Sequence, residues 1–270
     1  MAASDLVTVE PDRAAPRAFA GPGRLYRWGL GLLGIVLAFG VWQLTSVLAN
    51  TDVYPTATSA FSDVGTIFTG GNLSSVVVAS LIRLVIGFAL SAAIGVLLGL
   101  LIGYVPVIGG YLSAVIDFLR AIPFPLLLPP MIAIFKFGST TVIVLVVLTS
   151  VWPVLVNTAD AARSVDPLVH DVVRACKMRR VTAFRRVYFP AILPEILAGL
   201  RVAIGISLAA LVIAEMIGAS DGIGYFIGNS ESSFDSRATY AGVIVLAAVG
   251  WLADTAFLAM ERRALRGRPV

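Results

Sequence analysis

The stretch Asp160–Glu195, DAARSVDPLVHDVVRACKMRRVTAFRRVYFPAILPE, is the only long polar run between apolar segments. It carries Arg163, Arg174, Lys177, Arg179, Arg180, Arg185 and Arg186, while no other interior connection holds more than two basic residues. Asp166-Pro167 has the form of an N-cap followed by proline at the first helical position. Leu168, Val169, Val172, Val173 and Cys176 then recur on one helical face, with His170, Asp171, Arg174 and Lys177 opposite. A second short pattern follows at Val181, Phe184, Val187 and Tyr188, and Pro190 is expected to end it, because the residue before a proline avoids helical geometry. Helices this short are marginal alone in water, so their apolar face must pack on the rest of the chain or on a partner. That leaves Asp171, Arg174, Ala175, Lys177 and Met178 free to meet another protein.

Outward from this hairpin the chain is apolar. Of 270 residues 58% are hydrophobic and 13% charged, and mean hydropathy is +0.92, far outside the soluble range. A net charge of +4 on such a chain does not call for nucleic acid. Charge-free runs lie between Arg27 and Asp52, Arg83 and Asp117, and Lys136 and Asp160. A span needs about 20 residues, so the second run must turn, and Gly103-Tyr104-Val105-Pro106 to Gly109-Gly110 is the natural place. The expectation is an all-α, polytopic bundle of six transmembrane helices. The second runs from about Val76 to Gly103, the fifth from about Glu195 to Ile217, and the sixth from about Tyr240 to Met260. Residues 1–24 read as a disordered tail, 25–261 as the membrane domain with its loop at about 160–195, and 262–270 as a basic tail. Asn50–Leu73 and Gly218–Thr239 read as outer loops. Sixteen of the twenty basic residues then fall on the hairpin side or at its rim, which places both termini and the hairpin in the cytoplasm.

Two features within the spans stand out. Gly87, Ser91, Gly95, Gly99 and Gly103 recur every fourth residue, a seam of small side chains that lets membrane helices approach closely. The sequence leaves open whether the seam faces this chain or a second copy. The third span carries Asp117 and Arg120 one turn apart, then Pro123, Pro125, Pro129 and Pro130. Prolines at membrane depth free backbone carbonyls that neighbours or a water-lined cavity must satisfy, so this segment is a candidate border of a translocation path. Glu215, an intramembrane carboxyl, joins that candidate set.

Catalytic motifs are missing. No GxxxxGK[ST] loop exists, and the only lysines, Lys136 and Lys177, follow Phe135 and Cys176. Gly218-Ala219-Ser220-Asp221-Gly222 matches a hydrolase elbow, but it leaves a membrane helix on the far side from His170, the single histidine. One cysteine and one histidine exclude a disulfide framework and a Cys/His-rich metal site. The chain reads as a non-enzymatic transport component. A stand-alone proton-coupled carrier using Glu215 or Asp254 is the alternative.

At the hairpin, Asp171-Val172-Val173-Arg174-Ala175-Cys176-Lys177 and Phe184-Arg185-Arg186-Val187-Tyr188-Phe189-Pro190-Ala191-Ile192-Leu193-Pro194 resemble the "EAA" loop of permease subunits of binding-protein-dependent ABC importers, of the sulfonate, taurine and nitrate type. Asp171-Val172-Val173 stands where the family has Glu-Ala-Ala, and Lys177 where it has a glycine. The resemblance implies a type I importer permease in the bacterial cytoplasmic membrane, with the loop, including Pro190 and Pro194, as the coupling element. It implies a second permease copy, a cytoplasmic ATPase dimer that holds ATP and Mg, and an extracytoplasmic binding protein. No cofactor is implied on this chain itself.

Overall fold

The computed structural model describes residues 24–51, 53–69 and 74–266. Every regular element among them is helical. In chain order these are α1 (Arg24–Ala49), α2 (Ala57–Thr69), a π turn (Ser74–Val78) leading into α3 (Ala79–Tyr104), α4 (Pro106–Arg120), a 3-10 turn (Phe124–Leu127) leading into α5 (Leu128–Phe135), α6 (Ser139–Arg163), α7 (Pro167–Ala175), α8 (Arg180–Ala183), a second π turn (Phe184–Tyr188), α9 (Phe189–Gly218), α10 (Ile223–Ser232) and α11 (Ser236–Ala264). Five helical stretches are long and apolar enough to cross a membrane. A sixth span exists if α4 and the segment Phe124–Phe135, which meet at 82°, count as one.

The proline-rich third span is therefore broken, not merely kinked. Pro123 is extended (φ −68°, ψ 102°), and the prolines beyond it occupy the first positions of the 3-10 turn and of α5. Those positions have no intrahelical N–H bond to lose, so each proline starts a helix where mid-helix it would break one.

Several expectations change. The segments expected as outer loops contain α2 and α10. Pro190 does not end the hairpin's second helix, because α8, the π turn and α9 form one continuous rod, Arg180–Gly218. The Phe189 amide bonds to the Phe184 carbonyl, an i to i−5 step. This wider turn absorbs one extra residue just where the proline ring would crowd the preceding turn. The helix that carries the fifth span thus begins well before Glu195. The sixth runs on to Ala264, so the expected tail 262–270 starts as helix. The expected tail 1–24 lies outside the described residues except for Arg24, which begins α1, as do residues 70–73 and 267–270.

Helix α6 is the centre of the bundle. The seam on α3 packs against it: a Cβ at Gly87, Gly95, Gly99 or Gly103 would strike Val146, Val154, Thr158 or Ala162, in each case the residue 59 positions on. A constant offset means that α3 and α6 run side by side in the same direction, backbone against backbone. The seam thus faces this chain's own helix. On its other side α6 meets α9 in the opposite sense, with Gly199 against Asn157 and Gly218 near Thr141. Leu84, Leu145, Val146, Leu211 and Ala214 fill the space between the three. α10 folds back onto α9, and Ile223 and Ile227 join Ala241 and Val245 of α11 and Ile67 of α2 in a second core. α1 lies at the margin, its Leu32, Val36 and Leu44 exposed, and Trp42 reaches Tyr240 at the start of α11.

Candidate functional site: the coupling hairpin and the charged clusters

Helix α7 is built as its sequence dictates. The Asp166 carboxylate accepts from the Leu168 amide at 2.8 Å, and Pro167 follows as the first helical residue. At the other end the Lys177 amide donates to Arg174 (3.0 Å) and the Met178 amide to Val173 (3.2 Å), with Lys177 at φ +48°. These crossed bonds around a left-handed residue form a Schellman stop. Lysine holds there the conformation that glycine adopts without cost.

The apolar face of the hairpin is only partly covered by the bundle: Val169, Val173, Phe184 and Val187 are half-buried. No residue of α7 is buried, and Leu168, Val172 and Val181 are exposed by 69%, 58% and 71%. Asp171, Arg174, Ala175 and Lys177 are exposed beside them, and Met178 is half-buried. Arg179, Arg180, Arg185 and Arg186 complete an exposed basic rim. His170, placed by periodicity on the polar face, instead meets Tyr188, Nδ1 lying 2.8 Å from the phenol oxygen. Pro190 is half-buried and Pro194 exposed, both within the continuous helix.

Asp117 and Arg120 pair at 3.2 Å on the exposed face of α4. They border a cavity of about 280 Å³ between α4 and α6 that Asp160 and Arg163, themselves paired at 3.4 Å, also line. Pro123 and Pro125 are exposed just beyond, while Phe124 stacks on Trp152 at 6.3 Å.

Glu215 has a different setting, with no exposed surface at all. Its carboxylate accepts from Arg83 Nη1 (2.9 Å) and from the Gly224 amide (3.0 Å), and the Ser80 hydroxyl lies 2.7 and 2.9 Å from its two oxygens. Arg83 also donates to Ser139 Oγ at 3.0 Å, to the Asp221 carbonyl at 2.9 Å, and to the Asp221 carboxylate. Ser80 in turn accepts from the Ile223 amide at 2.7 Å. The cluster thus fastens α3, the start of α6, the end of α9 and the turn into α10 at the end of the bundle remote from the hairpin. Gly222 turns there at φ +108°, and a Cβ on it would stand 2.5 Å from the Glu215 carboxylate. Sequence reading singled out Glu215 and missed its partners. The available signal was that Arg83 is a lone cation within a span, which must find an anion in the bundle.

A six-span helical bundle of this kind, with a basic, partly apolar hairpin projecting between its fourth and fifth spans, defines a membrane transport permease. The chain belongs to the family described as "Binding-protein-dependent transport system inner membrane component", which matches residues 92–266. It is 32% identical to the putative aliphatic sulfonates transport permease protein SsuC of Bacillus subtilis, over 92% of this chain and 91% of that one. It is 30% identical to the bicarbonate transport system permease protein CmpB of Synechococcus elongatus (94% and 98% covered). It is 31% identical to the nitrate import permease protein NrtB of a Synechocystis strain (82% and 84% covered). Among solved structures, an inward-facing MetNI methionine ABC transporter shares the fold, with a TM-score of 0.62 at 17% identity over 70% of this chain and 94% of that one. The chain is accordingly a permease subunit of a binding-protein-dependent ABC importer.

Proposed function

We propose that two copies of this chain form the membrane path for a small anion or zwitterion, driven by a separate cytoplasmic ATPase dimer that docks on the hairpin Pro167–Tyr188. The solute is delivered by an extracytoplasmic binding protein, and both termini lie on the hairpin side, in the cytoplasm. ATP and Mg belong to the ATPase. The observation that carries this reading is the hairpin itself. Its first helix, α7, has a cap at Asp166 and a stop at Lys177, yet Leu168, Val172 and Val181 are left uncovered beside Ala175 and the arginines. An apolar centre with a polar, arginine-rich rim is the composition of a protein interface. The relatives named for sulfonates, nitrate and bicarbonate support an anionic solute. Nothing favours a proton carrier on Glu215, whose two oxygens are both engaged by protein donors. Asp254 is held 3.7 Å from Arg201.

The test is ATPase attachment. Ala175→Trp and Asp171→Lys leave the spans untouched and should abolish co-purification of the ATPase, or leave it bound with hydrolysis uncoupled from uptake. Unchanged assembly and uptake in both variants would remove the hairpin from this role.

A further inference from the structure

We infer that the His170–Tyr188 hydrogen bond carries movement of the hairpin into α9, which makes both residues positioning residues for coupling; this rests on the hairpin being the ATPase contact. Among the described residues it is the one side-chain hydrogen bond or ion pair that joins α7 to another element. The Asp166 bond is local to α7's own first turn. Nothing on α7 is buried, and the turn after it holds Lys177 in a left-handed conformation on the surface. Apart from the chain itself, the imidazole is therefore α7's polar tie to the bundle.

Tyr188 is well placed to receive a push. It is the last residue of the π turn, on the rod that continues without a break to Glu215 and Gly218. π turns within α-helices are frequent at functional positions. The two rings lie 5.1 Å apart, and Tyr188 also meets Tyr104, the final residue of α3, edge to face at 6.3 Å. Tyr104 touches Phe184 of the same π turn at 6.1 Å. The Tyr104 hydroxyl is buried with no hydrogen-bond partner among the described residues, beside the one phenol that is already committed to His170. Unsatisfied buried groups in native structures are few, and each calls for an explanation. One residue thus links α7, α9 and the foot of α3.

The experiment uses the complete transporter, permease with its ATPase, in lipid nanodiscs. Backbone hydrogen exchange is followed by mass spectrometry, with and without ATP and vanadate. Wild-type protein should change protection on trapping both in α7 and in the first turns of α9. Tyr188→Phe keeps the ring contacts and loses only the hydroxyl. It should retain the ATPase and the change in α7. The change in α9 should shrink about fivefold, the factor set by one net hydrogen bond of about 1 kcal/mol. His170→Ala should match it, the double variant should be no worse than either single one, and His170→Asn, whose side-chain amide reaches the Nδ1 position, should restore the response. An α9 response in Tyr188→Phe equal to that of wild type, or no α9 response in wild type, overturns the inference alone. A wild-type complex that binds no ATPase, or whose α7 ignores trapping, takes down the hairpin reading and this inference with it.

Discussion

Arg83 and Glu215 stand 132 residues apart in the chain and meet at 2.9 Å inside the bundle, with side chains 4% and 0% exposed. One belongs to α3 and the other to α9, and Asp221 and Ser139 bring in the turn before α10 and the start of α6. Two charges removed from water cost more than their attraction returns unless every remaining donor and acceptor is also met. Here Ser80, the Gly224 amide and the Asp221 carbonyl meet them. The pair's effect is to fix one end of the bundle in a single arrangement while the hairpin end stays open for a partner.

Arg83→Leu should destabilise the purified protein by about 3–5 kcal/mol, because it strands a buried carboxylate. Glu215→Gln should cost less, since the amide still accepts from Ser80 or Gly224. The double variant Arg83→Leu/Glu215→Leu should recover part of the Arg83→Leu loss. Thermal unfolding in detergent, compared across the three, is the measurement. Equal losses in Arg83→Leu and the double variant would show that the pair is not the coupled unit described here.

The α3–α6 seam predicts an asymmetry between glycines of similar sequence surroundings. A Cβ at Gly99 would stand 2.6 Å from Thr158 Cβ and 2.7 Å from the Leu155 carbonyl oxygen, whereas at Gly34 of α1 it meets nothing within 4 Å. Gly99→Ala should therefore cost about 1–3 kcal/mol by forcing the helices apart. Gly34→Ala should stay within about 0.5 kcal/mol of the parent. Similar unfolding midpoints for the two variants would contradict the seam.

What could be read from sequence follows from the range of the interactions involved. Asp166-Pro167 announced the start of α7 because a cap is a contact between neighbours. The four-residue rhythm from Gly87 to Gly103 announced a seam because helical period is local, though its partner, α6, could not be named. Pro123 announced a break. By contrast α10, IGYFIGNSES, shows no apolar rhythm of its own and is held by packing on α9 and α11. The Pro190 stop failed because a π turn upstream makes room for the ring. Ser80, Arg83 and Asp221 stayed hidden because Ser80 and Arg83 meet Glu215, and Asp221 meets Arg83, across more than 130 residues, which no single-helix pattern encodes.

Lys177 offers a gain-of-stability test. A side chain in the left-handed region costs about 1–2 kcal/mol, and glycine there gives back about 0.4–1 kcal/mol through its freer unfolded chain. Lys177→Gly should thus strengthen the end of α7 by about 0.5–1 kcal/mol, read as two- to fivefold slower hydrogen exchange at Cys176 to Met178. Faster exchange in Lys177→Gly would mean that the lysine side chain makes a stabilising contact there.

The broken third span carries the last prediction. The 82° turn after Arg120 swings Phe124–Phe135 away from the line of α4. Phe124 and Leu127 are packed inward on the core, while Leu126 is 70% exposed, next to Pro123 and Pro125. Irregular backbone at membrane depth is tolerated only against protein or a water-filled cavity. The Asp117–Arg120 and Asp160–Arg163 pairs around the nearby cavity favour water. If this segment borders the path, a cysteine at Leu126, in a chain whose exposed Cys176 is replaced by serine, should react with a water-soluble thiol reagent in a state-dependent way. In the assembled transporter its labelling rate should differ about tenfold or more between the resting and the ATP–vanadate-trapped forms, as for a site that alternates between water and closure over a gap of at least about 1.4 kcal/mol. A cysteine at Leu37, midway along the span α1 and exposed on the outside of the bundle, is the control and should stay unlabelled in both states. Equal labelling at Leu126 in the two states would make the break a scaffold feature that shapes the bundle without bordering the path.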